Sequence, residues 1–133
     1  GKTVTIPFAE NFSETPYNVI SQNKQTGLHT LCLLDLKADA NQYLSINQAI
    51  KSLKAIESKK KMNIITENTV ALGIARAGND NPTVKAGYIV DLENFDFGEP
   101  PYSLIIPGDL HFMEADALIA CANAPENLRR NIK

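Results

Sequence analysis

Asp35 is where chemistry could start in this sequence: a carboxylate closing the apolar run Thr30-Leu31-Cys32-Leu33-Leu34, which opens after Gly27-Leu28-His29. The run is too short for an independent helix. Bounded by turn signals, it reads as a strand buried on both faces, as in sheets covered by helices. In open α/β sheets ligands bind just beyond the carboxyl ends of such strands, so Leu34 and Asp35 mark the first place to look. A second is Ala75-Arg76-Ala77-Gly78. Small residues at a strand end let a ligand approach the backbone, and Arg76 sets a cation beside that point. The same residues also fit a tight turn carrying a surface arginine, which residue types alone favour.

Other chemistries find less support. There is no Cys-x-x-Cys, and His29 and His111 are single histidines far apart in sequence, which argues against a metal centre. His29 is expected to orient the turn into its strand. Cys32 sits inside an apolar strand, where thiols are inert, and no serine or cysteine is set beside a base and an orienting acid. Neither Gly-x-Gly-x-x-Gly nor a Walker lysine appears. Cys32 and Cys121 both lie among apolar residues and are expected to be reduced core thiols of a cytosolic protein.

The elements that must position these residues come from one domain's length of chain, 133 residues with 44% hydrophobic and 21% charged residues. That is ordinary for a globular domain able to bury its own core. A net charge of −2 argues against an electrostatic nucleic-acid binder, which would show a basic stripe. Lys59-Lys60-Lys61 reads instead as a helix end meeting its dipole. No apolar run approaches the ~20 residues of a membrane span. The start, Gly1-Lys2-Thr3, is no signal peptide and lacks an initiator methionine. A piece of a longer protein is expected, although a processed tag could leave the same start.

Thr3-Val4-Thr5-Ile6 alternates as a first strand before Pro7, and Phe8 to Glu14 reads as a polar loop. Thr15 can cap a helix with Pro16 in its first turn, and Gly27 can take the left-handed position that ends it. The second strand runs from Thr30 to Leu36. Ser45 and Gln48 form a capping box ahead of Ile46, Ala49, Ile50, Leu53 and Ile56 at helical spacing. Strands follow at Val70 to Ala77 and, antiparallel across the turn Gly78-Asn79-Asp80-Asn81-Pro82, at Thr83 to Val90. Asp91 to Pro101 is an acidic loop, and Tyr102 to Ile106 is the last strand. Asp109 can cap a helix from Leu110 to about Ala122, with Phe112, Ala115, Leu118 and Ile119 on one side. Ala124-Pro125-Glu126 starts a short final helix with Arg129 and Arg130 in its last turn. The order predicts an α/β fold: a mixed five-stranded sheet with helices packed on it.

Several of these stretches together resemble the C-terminal half of the diphthine synthases, S-adenosylmethionine-dependent methyltransferases of the tetrapyrrole-methylase superfamily. Gly27-Leu28-His29-Thr30-Leu31 is similar to the segment that opens that half, after a helix like Pro16-Tyr17-Asn18-Val19-Ile20. Tyr43-Leu44-Ser45-Ile46-Asn47-Gln48-Ala49 resembles the family's next helix start. Ala75-Arg76-Ala77-Gly78, Asn81-Pro82-Thr83-Val84-Lys85-Ala86-Gly87, Phe97-Gly98-Glu99-Pro100-Pro101, Pro107-Gly108-Asp109-Leu110-His111 and Glu114-Ala115 fall at the expected spacings. The short connection from Asp35 to Tyr43 is similar to archaeal members.

The resemblance implies the fold of the tetrapyrrole-methylase C-terminal domain. It also implies an activity: methylation of the amino group of the 3-amino-3-carboxypropyl side chain built on a histidine of elongation factor 2, in diphthamide biosynthesis. Archaeal forms are expected to add three methyl groups. S-adenosylmethionine would sit in a cleft between two domains, with Leu34, Ala77 and Tyr102 as this chain's contribution. Tyr102 stands where relatives carry histidine after the Pro-Pro pair; a backbone contact would survive that change, whereas a side-chain role would not. An N-terminal domain carrying a Gly-Asp-Pro loop is absent, so the chain alone is expected to be inactive. Asp35 is a candidate polar anchor beside the cofactor, and Arg76 a candidate for the substrate's carboxylate. A cytoplasmic homodimer acting on elongation factor 2 is implied, with neither membrane nor direct nucleic-acid binding. The alternatives are a related methylase with another acceptor and a non-catalytic dimerisation or partner-binding module of the same fold.

Overall fold

The structure is a computed structural model that describes residues 2–131. Gly1 and the side chain of Phe112, on which two of the expectations rest, lie outside the described residues. Among the described residues, seven strands and four helices follow in chain order: β1 (Thr3–Ile6), α1 (Thr15–Gln25), β2 (Thr30–Leu34), β3 (Leu36–Lys37), β4 (Gln42–Tyr43), α2 (Ile46–Lys60), β5 (Val70–Ala75), β6 (Thr83–Tyr88), α3 (Ile89–Leu92), β7 (Tyr102–Ile106) and α4 (Phe112–Ala122). Short 3-10 turns lie at Ala9–Asn11, Ala38–Ala40 and Glu126–Asn131. The main sheet has five strands in the order β1-β2-β7-β5-β6, and β3 and β4 form a separate two-stranded ribbon. Only β1 and β2 are parallel; the other pairs are antiparallel. The expected mixed α/β sheet with packed helices is what forms.

The two faces of the sheet are covered unequally. Cys32, Leu34, Ala71, Ala75, Leu104 and Ile106 turn to one face and are packed under α1, α2 and α3 by Tyr17, Ile20, Ile50, Leu53 and Leu92, among others. On the other face α4 lies over β6 and β5, where Ala115, Ala122 and Leu128 meet Ala86, Val70 and Leu72. Beyond α4 the sheet is open. The strand β2 is therefore not buried on both faces: Thr30, Cys32 and Leu34 are buried, whereas Leu31 and Leu33 are exposed. The correction has a plain cause, since the covering helix reaches only half of the sheet.

Local chemistry explains most element ends. Gln48 N–H donates to Ser45 Oγ at 3.1 Å and Ser45 N–H to Gln48 Oε1 at 3.0 Å, so α2 begins on the expected capping box. The five apolar residues expected on its inner side are all buried. Gly27, at φ +75°, ends the turn after α1. Five boundaries differ from expectation. Glu14, not Thr15, is the N-cap of α1. The second strand stops at Leu34, because Asp35 turns the chain into β3. Strand β5 ends at Ala75 and β6 at Tyr88, where Ile89–Leu92 winds into a helical turn. His111, not Asp109, is the N-cap of α4, with its N–H donating to Glu114 Oε1 at 3.0 Å.

Candidate functional site

One edge of the sheet gathers the residues singled out from the sequence. Leu33 pairs with Ser103, which pairs with Ile74, and Tyr102 pairs with Ala75. The C-terminal ends of β1, β2 and β5 and the start of β7 therefore meet at the same edge. Leu34 lies there as the last residue of β2, Tyr102 as the first of β7, and Ala77 two positions past β5. Leu34 is buried, Tyr102 half-buried and Ala77 exposed. Gly78, next to Ala77, has nothing within 4 Å of where a side chain would begin. The edge thus sets a half-buried phenol beside open backbone, with Leu34 packed beneath.

Asp35 turns the chain out of this edge. Its N–H donates to Ile6 O at 3.1 Å, and its carbonyl accepts from Leu44 N–H at 2.9 Å. The carboxylate accepts from Leu36 N–H at 3.0 Å and, at a long 3.4 Å, from Phe8 N–H. Each oxygen keeps lone-pair capacity for a further donor.

Arg76 is the most heavily bonded residue of the edge. It sits at φ +56°, a region uncommon for a residue with a side chain. Its N–H donates to Pro101 O at 2.7 Å. Nε donates to Asn81 O at 2.9 Å, Nη2 to Thr83 Oγ1 at 2.6 Å, and Nη1 to both Phe97 O and Glu99 O. A guanidinium has five N–H donors, so one Nη2 hydrogen is left for a substrate carboxylate, not the two a bidentate clamp uses. The turn and the ligand-edge readings of Ala75-Arg76-Ala77-Gly78 meet here: it is a turn, and it lies at the edge. The Tyr102 hydroxyl donates to Gly98 O at 2.5 Å. Burial and the Glu99 carboxylate push that phenol's pKa up, against the pull of the Arg76 guanidinium, so it stays protonated and donating.

The remaining candidates lie apart. At the opposite sheet edge, His29 Nδ1 accepts from Gly108 N–H at 3.0 Å, which places the ring proton on Nε2, 2.8 Å from Glu114 Oε2. The histidine thus orients the turn into β2, as expected, and clamps α4 to it. The N–H of His111 and the His29 ring hold the Glu114 carboxyl below its ordinary range. Burial pushes the Cys32 thiol up to about 12. Cys121 is exposed, contrary to its expected place in the core, because α4 turns that side away from the sheet. No group of three or more His, Cys, Asp or Glu residues able to hold a metal ion occurs among the described residues. Nor is any helix long and apolar enough to cross a membrane. Clefts of about 380, 270 and 430 Å³ open beside Asp109, Leu118 and Phe8 respectively. Leu34, Ala77 and Tyr102 line none of these three; they form a wall.

Sequence reasoning missed Glu57. Its Oε1 accepts from the Tyr17 hydroxyl and from the N–H groups of Ile64 and Ile65, and Oε2 accepts from Asn63 N–H. It also missed Asn47, whose Nδ2 reaches the carbonyls of Leu92, Glu93 and Phe95. A polar residue at the end or start of an amphipathic helix was the one available signal, and many surface residues share it.

Comparison with known proteins follows the same lines. No protein-family model matches the chain. It is 52% identical over 122 residues to the diphthine synthase of Methanocaldococcus jannaschii, covering 89% of this chain and 48% of that protein. It is 46% identical over 140 residues to that of Methanosarcina mazei, covering 100% and 52%, and 43% identical over 133 residues to that of Methanosphaera stadtmanae, covering 98% and 51%. A crystal structure of diphthine synthase superposes with a TM-score of 0.84 at 34% identity, over 98% of this chain and 48% of that one. The chain spans about half the length of the curated relatives it matches.

Proposed function

We propose that this chain, a homologue of the diphthine synthases over about half of their length, is the C-terminal domain of an S-adenosylmethionine-dependent methyltransferase of that kind. In this reading the sheet edge carrying Leu34, Ala77 and Tyr102 is one wall of the cofactor cleft, and an N-terminal domain supplies the other. The observation that carries it is the convergence of the three residues, distant in sequence, on a single edge of the sheet. Methylation of the amino group of the 3-amino-3-carboxypropyl-histidine precursor on elongation factor 2 comes with the reading. So do a homodimer and a cytoplasmic location.

The residues present fit such a cofactor. Exposed Ala77 and the open space beside Gly78 leave room for a ligand to lie against backbone. Leu34, buried at the end of β2, fixes the backbone of the wall, and Tyr102 is held in place through its hydroxyl. S-adenosylmethionine supplies a methyl group on a sulfonium with a good leaving group. Holding a neutral amine in line with that carbon can contribute about 7–11 kcal/mol through proximity and orientation. The wall's task is to position and to exclude bulk water, which strengthens the electrostatics of the closed site. Asp35, with carboxylate capacity to spare, is the polar anchor of this edge. The fold needs no nucleophile, which agrees with Cys32 being a buried thiol with a raised pKa.

Calorimetric titration of S-adenosylhomocysteine tests the reading. The chain alone is expected to bind weakly or not at all and to transfer no methyl group. Adding the complementary half of the Methanocaldococcus jannaschii relative is expected to restore binding. No binding by the pair, with both halves shown folded and associated, would shift the reading to a non-catalytic module of the same fold.

A further inference from the structure

We infer that Arg76 is a positioning residue for the cofactor wall, acting through the loop that precedes Tyr102, not a ligand of the substrate. The inference rests on the cleft reading above and assigns the internal machinery of that wall. Ala77 and Tyr102 belong to different segments, one leaving β5 and the other entering β7. Arg76 is the residue that joins them. Its backbone N–H bonds Pro101 O, the carbonyl directly before Tyr102, at 2.7 Å. Its side chain then bridges two groups of acceptors. Phe97 O and Glu99 O lie on the loop before β7, and Asn81 O and Thr83 Oγ1 lie on the hairpin after β5.

The loop is built to receive this fork. Phe97 is buried at 3% exposure, with its ring over Gly73, where an added side chain would begin 2.4 Å from Phe97 Cζ. That anchors the carbonyl at the loop's start. Gly98 sits at φ +74°, and a side chain there would begin 3.3 Å from Arg76 Nη1. Its carbonyl is the acceptor of the Tyr102 hydroxyl. Arg76 thus fixes both sides of the loop whose carbonyl orients Tyr102, while its own left-handed backbone sets the direction of Ala77. A planar, always-charged guanidinium can serve acceptors on two sides at once. A lysine ammonium is a point donor on a flexible stem and cannot reproduce the fork.

Arg76→Lys keeps the charge and removes the geometry, so it separates positioning from electrostatics. With the complementary half supplied, and at a temperature where circular dichroism shows all variants folded, Arg76→Lys is expected to weaken S-adenosylhomocysteine binding at least tenfold. Amide exchange at Ala77 and Tyr102 is expected to quicken while exchange at Ile64 and Ile65 does not. Thr83→Val removes a single acceptor and is expected to fall between Arg76→Lys and wild type. It carries the test if Arg76→Lys does not fold. Glu57→Gln, a control whose bonds lie at the far end of α2, is expected to lower the melting temperature and leave affinity unchanged. Wild-type binding with Arg76→Lys affinity within twofold, or Thr83→Val at wild-type affinity where Arg76→Lys is unfolded, overturns the inference and leaves the cleft reading standing. Absence of binding by the wild-type pair removes the cleft reading and this inference with it.

Discussion

Glu57 shows how much one side chain can hold when its partners come from outside its own helix. It ties the end of α2 to α1 through Tyr17 and to the following loop through the N–H groups of Asn63, Ile64 and Ile65. Burial alone pushes its carboxyl up, but the bonds from Ile65, Ile64, Tyr17 and Asn63 outweigh it and leave the pKa below the ordinary value. A group with a depressed folded pKa contributes stability above its unfolded value of about 4.3, and that contribution is lost as pH falls through the folded value. Glu57→Gln puts an amide donor against backbone donors and is expected to cost about 1–3 kcal/mol near neutral pH. The gap from wild type should shrink in acid, as read from urea midpoints between pH 3 and 7; a gap of equal size throughout would show that the charge carries none of it. Asp35 offers a cleaner separation of charge from shape. Asn keeps an acceptor for Leu36 N–H, so Asp35→Asn should leave the turn in place. In the reconstituted enzyme methyl transfer is expected to fall about tenfold or more, as the loss of a hydrogen bond to a charged anchor, about 1.5–3 kcal/mol, implies. Unchanged turnover would remove Asp35 from the site.

At the level of elements, legibility followed the range of the determining contacts. Helix α2 could be read because Ser45, Gln48 and the spacing from Ile46 to Ile56 all act within a few residues of one another. Strand β2 was read as an element but not in its burial. Thr30-Leu31-Cys32-Leu33-Leu34 is apolar throughout, and only the placement of α4 decides that Leu31 and Leu33 stay uncovered. The turn Ile89–Leu92 was hidden for a related reason: its apolar residues extend the pattern of β6, and only the packing, which buries Ile89 and Leu92 and leaves Val90 exposed, shows the spacing of a helical turn. Leu34 and the stretch Ala75-Arg76-Ala77-Gly78 were legible as strand ends, whereas Tyr102, and the joining of the three into one site, came through family resemblance alone. The Arg76 bonds to Phe97 and Glu99 span more than twenty positions and leave no local signal. Gly73 belongs with these. It reads as a weak point in a strand, yet it makes room for Phe97. Gly73→Ala would set a methyl 2.4 Å from Phe97 Cζ and 3.1 Å from Ile46 Cδ1. Overpacking of this kind costs about 1–3 kcal/mol. The expected outcome is a lower melting temperature together with faster amide exchange in 95–101, since Phe97 holds that loop. An unchanged melting temperature would mean that the ring can move aside freely and that Phe97 is no anchor.

At the scale of the whole molecule, the uneven cover of the sheet is the feature with consequences. One face is closed by α1, α2 and α3. The other is closed only over β5 and β6, leaving Leu31 and Leu33 exposed at 36% and 44% on β2, with exposed Thr3 and Thr5 beside them on β1. Contiguous apolar surface of this kind promotes association, and β1 is also an edge of the sheet, with one side unpaired, which makes it a template for further strands. The chain by itself is therefore expected to self-associate as its concentration rises. Leu31→Thr with Leu33→Thr tests this without touching the core. Threonine suits a strand, and exposed substitutions change stability by about 0.5 kcal/mol or less, so the unfolding midpoint should hold while association falls. Sedimentation velocity across a wide concentration range reads the difference. A wild-type chain that stays monomeric throughout would show that the open half of the sheet is tolerated by water. Association undiminished in the double variant would move the contact to the β1 edge, where backbone groups act in place of side chains.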